Sequence, residues 1–163
     1  MFEAMPVQPG EAAEDLDVWM RILTNAEYLK KDGTVHNKAF GGKKAISPPI
    51  DQQPWSLEIS GRLLSFVKEI EKESIAFCSP PMVFSGLMYQ TVENLRSTAN
   101  GSPRSLGCNT DVIYTPKGND DAHSDFVTFS ADLDHRHLIR DWLQDFIQCV
   151  PPDKCAVLEA LRK

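Results

Sequence analysis

The chain has little cysteine and no C-x-x-C pair: Cys78, Cys108, Cys149 and Cys155 stand apart in 163 residues. Zinc knuckles and thioredoxin-type redox sites both depend on closely spaced thiols, so both are excluded. Long apolar runs are missing as well, and nothing approaches the roughly 20 residues of a bilayer-spanning helix. Met1 to Asp17 carries Glu3, Glu11, Glu14, Asp15 and Asp17 and no lysine or arginine, so the basic start of a secretory signal is absent. The net charge of −6 weakens any general attraction to nucleic acid or anionic lipid. These absences point to a cytoplasmic protein with reduced thiols, no membrane attachment and no specific nucleic-acid signal. Two phosphate and acyl-transfer signatures are lacking too. There is no G-x-x-x-x-G-K-[ST] and no G-x-S-x-G, of which Phe84-Ser85-Gly86 is only a fragment.

What is present is globular: 42% hydrophobic and 25% charged residues, enough to build one core. Pro6, Pro9, Gly10 and the acidic residues make residues 1–15 read as a flexible leader, with a single globular domain over 16–163. Val18 to Leu23 reads as a buried strand. Asn25 caps a short helix over Ala26–Lys31, which Gly33 ends. Ile59, Leu63, Leu64, Val67 and Ile70 recur at three and four residues and predict a helix over Ser56–Ser74. Ile75–Cys78 is a candidate strand, and the spacing predicts a second helix over Val83–Ala99. Strands follow at Asp111–Thr115 and Phe126–Phe129. A helix containing Leu138, Ile139, Trp142, Leu143, Phe146 and Ile147 begins after Asp134 and ends at Pro151-Pro152, and a last one is capped by Asp153. The expected fold is α/β or α+β: one compact domain with a small mixed sheet and about four helices.

Between Asn119 and His137 lie three of the four histidines and five aspartates. Carboxylates and neutral imidazole suit a divalent metal, and an aspartate can orient a histidine as a general base. On this reading Asp121, His123 and Asp125 are metal ligands, and His123 and His137 are the catalytic candidates. His135 and His137 sit in the first turn of a helix and point apart, so they do not chelate one ion together. The competing reading is a polar turn, which uses the same residue types.

Three basic residues are candidate binding groups. Lys43 and Lys44 close a loop in which five lysines face one aspartate between Lys30 and Lys44. Its glycines would let backbone N–H groups approach an anion, although a solvated loop accounts for it equally. Arg21 lies inside the first apolar run and needs a carboxylate, a carbonyl or a ligand as its partner. An arginine closing the first strand, followed by a serine (Ser47) and an acid, is similar to the order in ADP-ribosyltransferases. No Glu-x-Glu or Gln-x-Glu follows a predicted strand here, so the acid of that family is missing and the similarity does not carry membership.

Two functional expectations result. The first is a cytoplasmic accessory or protein-interaction domain without catalysis of its own, with a protein partner. The second is a small metal-dependent hydrolase using the 120–137 cluster, in which a divalent metal activates water.

Overall fold

The computed structural model describes residues 8–40, 57–97, 102, 104, 107, 109–128 and 135–162, without the side chains of residues 37, 57 and 135–137. Lys43, Lys44, Ser47, Cys108, Asp132 and Asp134 lie outside the described residues. Six strands form one sheet: β1 (Val18–Leu23), β2 (Leu57–Leu63), β3 (Gly86–Thr91), β4 (Thr110–Tyr114), β5 (His123–Thr128) and β6 (Gln148–Val150). Their order is β4-β5-β2-β1-β3-β6, and every pairing is antiparallel. Four α-helices accompany it: α1 (Ile70–Phe77), α2 (Val92–Leu95), α3 (His135–Phe146) and α4 (Ala156–Glu159). This is the α+β arrangement expected from the sequence. No helix among the described residues is long and apolar enough to cross a membrane.

β1 is central and buried on both sides, which is why it reads as an apolar run broken only by the half-buried Arg21. Trp19 and Leu23 join Ile59, Leu63, Met88, Val112 and Phe126 in the larger core, closed by Ile139 and Leu143 of α3. Val18, Met20 and Ile22 join Leu87, Val67, Ile70 of α1 and Leu158 of α4 in the second. The second face is divided. Met20 is paired with Arg62, Arg62 with His123, and Ser60 with Asp125, and paired residues share a face. Its β1/β3 half is therefore apolar, while its β2/β5 half carries Ser60, Arg62, His123 and Asp125.

Two expected helices are strands in part. Leu57–Leu63 alternates apolar and polar residues, and the four-residue separation of Ile59 and Leu63 fits period two as well as a helix. The helix of that region is confined to α1, which includes the candidate strand at 75–77. Within the expected helix over 83–99, Gly86–Thr91 is β3, and only Val92–Leu95 is α-helical. Gly86 has φ 136, a conformation no helix contains, and Thr91 caps α2 by accepting from the N–H of Asn94. From Gln8 on, the segment read as a leader is tied to β4. Gly10 N–H donates to Tyr114 O (2.7 Å), Ala13 N–H to Val112 O (2.8 Å), and Ala13 is buried. Arg96 clamps it by donating to Ala13 O and pairing with Asp15 (2.7 Å) and Asp111 (2.6 Å).

Asp17 fastens the start of β1. Its carboxylate, 1% exposed, accepts from Val18 N–H (2.8 Å), Ser65 N–H (3.2 Å) and Ser65 Oγ (2.5 Å). Burial raises its pKa above the ordinary 3.8, and the three donors offset only part of that rise. A raised carboxyl favours the fold while protonated. Its contribution is therefore largest below 3.8 and is lost as pH rises through the folded value. Urea titrations at a series of pH values should show the wild-type stability, relative to Asp17→Asn, falling across that window; a constant difference refutes the assignment.

Gly61 lets Trp19 lie against β2. A Cβ at this position would collide with the Trp19 indole and sit 2.7 Å from Met20 O. Gly61→Ala is expected to lose about 1–3 kcal/mol or more through overpacking, read as a lower denaturation midpoint.

Candidate functional site

β1 runs alongside β3 from Val18 to Leu23, but its registered pairing with β2 covers only Trp19–Leu63 and Met20–Arg62. Beyond Met20 the two strands part, leaving a crevice in the sheet. Arg21 and Ile22 of β1, Ser60, Gly61 and Arg62 of β2, and His123 of β5 all line it. A gap between strands uncovers backbone groups that a ladder would have satisfied. Arg21 answers one of them: its Nη1 donates to Ser60 O at 2.5 Å.

The two arginines have different surroundings. Arg62 is locked. Its Nε and Nη2 donate to Asp120 (3.2 and 2.9 Å) and Nη2 also donates to Glu73 of α1 (3.1 Å). Burial alone would lower its pKa, but Asp120 and Glu73 outweigh burial and hold the guanidinium above its ordinary value. Arg21 is half-buried and has no carboxylate within ion-pair distance among the described residues. Burial pulls its pKa down, and the more distant Tyr28 and Asp125 restore only part. A buried guanidinium bonded only to a carbonyl is costly for the fold and open to an anion.

His123 lines the same crevice. Nδ1 lies 2.7 Å from Thr115 O, and a carbonyl only accepts, so Nδ1 carries the proton. In the neutral imidazole Nε2 then bears the lone pair. It is buried and has no protein partner among the described residues, as is also true of Trp19 Nε1 and Ser124 Oγ. Asp125 is held by both neighbours: Ser60 Oγ donates to Oδ1 (3.1 Å) and Thr115 Oγ1 to Oδ2 (2.7 Å). Thr115 thus orients the imidazole through its carbonyl and the carboxylate through its hydroxyl.

Of the expected site residues, Arg21, His123 and Asp125 come together. Asp121 does not join them: it is exposed, and it is its backbone O that accepts from Tyr114 Oη (2.7 Å). No group of three or more His, Cys, Asp or Glu side chains among the described residues is arranged to hold a metal ion, so the ligand set Asp121, His123 and Asp125 is not assembled. The physical reason is that Asp121 lies before β5 and is exposed, while the Asp125 carboxylate and His123 Nδ1 are already engaged by Ser60 and Thr115. His137 belongs to α3, which packs on the other core through Ile139 and Leu143. Lys43 and Lys44 lie outside the described residues. Ser60 is not among the residues singled out from the sequence, and Arg62 is expected there only on the solvated face of the helix over 56–74; the period-two alternation of 57–63 is the signal that finds both.

His123 should show the Nδ1–H tautomer by nitrogen NMR of the neutral imidazole, with Nε2 in the unprotonated range. The reverse tautomer would remove the free acceptor. No family description, curated protein or solved structure matches the chain.

Proposed function

We propose that this protein binds a small oxyanion-bearing molecule in the crevice between β1 and β2 and acts on it through His123. The carrying observation is a half-buried Arg21, without an ion-pair partner among the described residues, lining the same cavity as His123, whose buried Nε2 has no protein partner. Arg21 supplies charge and directional donors for phosphate or carboxylate. His123, fixed in one tautomer, is set to accept a proton from a water or hydroxyl at the bound anion. Asp125 and Thr115 keep the imidazole in place. No metal has a role in this reading, which replaces the hydrolase expected from Asp121, His123 and Asp125.

One observation favours a narrower reading. Arg21 of β1, Ser60 of β2 and Asp125 of β5 are neighbours, with Ser60 Oγ bonded to the Asp125 carboxylate. This follows the arginine, serine and acid order of ADP-ribosyltransferases, with Ser60 in place of Ser47 and an aspartate in place of glutamate. The ligand would then be NAD, whose phosphates suit Arg21. The other expectation, a cytoplasmic partner-binding domain, draws support from the exposed apolar side chains Ile75 and Val83.

Calorimetric titration with pyrophosphate and with NAD tests these readings. Pyrophosphate is expected to bind, and Arg21→Ala to weaken it by about ten-fold or more, roughly 1.4 kcal/mol. NAD binding that depends on both Arg21 and Asp125 selects the narrower reading. Pyrophosphate binding that Arg21→Ala leaves unchanged refutes the site.

A further inference from the structure

The crevice has two arms that meet at its polar residues. The inner arm, about 260 Å³, adds Ile22, Thr24, Tyr28 and Met82 to the junction. The outer arm, about 810 Å³, adds Glu58, Glu73, Lys117 and Asn119. Both contain Arg21, Ser60, Arg62, Phe77, Asp120 and His123. From this division we infer that the site selects an amphipathic oxyanion: one apolar ring in the inner arm, joined to an anionic group on Arg21. The inference rests on the anion-binding reading above and adds the substrate class.

The inner arm is the apolar one. Ile22, Tyr28 and Met82 line it alone and Phe77 lies at the junction, so burying a ring there removes apolar surface from water. An apolar cavity of roughly 150 Å³ already holds benzene, so this arm accommodates a ring with substituents. Phe77 is 51% and Met82 37% exposed, so both apolar surfaces are open to a ligand. Methionine also adapts its shape to an irregular ligand. The outer arm would strip water from carboxylates and a lysine if a ring entered it, which is unfavourable. Inorganic phosphate can use Arg21 but leaves the inner arm unfilled. A ring carrying a phosphate uses both, and its polar remainder is directed past His123 into the outer arm.

The experiment compares inorganic phosphate, phenyl phosphate and phenol by calorimetry on the full chain. Phenyl phosphate is expected to bind about ten-fold tighter than phosphate, with phenol weaker than either. Met82→Ser, at a position that lines the inner arm alone, should remove that advantage and leave phosphate affinity within about two-fold. Phe77→Ser should also reduce the advantage, and Arg21→Ala should weaken both anions. If phosphate binds through Arg21 while phenyl phosphate gains nothing, or gains equally in Phe77→Ser and Met82→Ser, the two-arm inference is overturned and the anion site stands. If neither anion binds in an Arg21-dependent way, both readings fail.

Discussion

The parting of β1 from β2 after the Met20–Arg62 pair is the constraint on which the rest depends. β1 gives one edge to β3 along its whole length, in six registered pairs, and only two registered pairs join its other edge to β2. β2 is committed equally to β5, from Leu57 to Arg62. Two strongly paired halves joined by a short contact leave a gap where their directions diverge, as sheet twist favours. Residues beside that gap are on rigid strands, so their side chains are held by ladders rather than by loops. Arg21, Ser60 and His123 owe their positions to this arrangement.

Polar groups in the gap are divided between those that stabilise and those left available. Arg62, Asp120 and Glu73 form a closed set, and Glu73 also accepts from the N–H groups of Lys68 (2.8 Å) and Glu69 (2.7 Å) at the start of α1. Burial would raise the Glu73 pKa, but these donors and Arg62 hold it below the ordinary value. This set attaches α1 to the sheet. Arg21 and His123 Nε2 have no equivalent closure. Breaking a satisfied network and filling an unsatisfied pocket have opposite effects on stability, and that contrast distinguishes scaffold from site.

Much of the scaffold was legible in the sequence, because its elements bury what their periods announce. Val18–Leu23 is the strand that its apolar run implies, and α3 matches the stripe through Ile139 and Leu143. Asn25 caps the first turn, accepting from Glu27 N–H as its side chain predicts. The site was harder to read for one reason: its residues break the patterns. His123 and Asp125 are polar yet buried, so 120–125 resembled a turn and β5 seemed to start at Phe126. Ser60 and Arg62 occupy the polar half of an alternation whose apolar half also suits a helix. Arg21 interrupts a buried strand, and the question of its partner singled it out. Which groups converge depends on the strand order β4-β5-β2-β1-β3-β6, and no local pattern encodes that order.

The segment from Gly10 to Ala13 lies along the outer side of β4, bonded to Tyr114 and Val112 and bridging at Ala12–Ile113. At the far end of the sheet, β6 is three residues long and is followed by Pro151 and Pro152. One border is therefore occupied and the other is too short to template a neighbour. A six-stranded sheet with such borders does not readily grow by adding strands from other molecules. The split between β1 and β2 is an interior opening, sized for a small molecule rather than for a chain. The fold thus keeps unsatisfied hydrogen-bonding capacity inside the crevice while removing it from the edges, where it would promote aggregation.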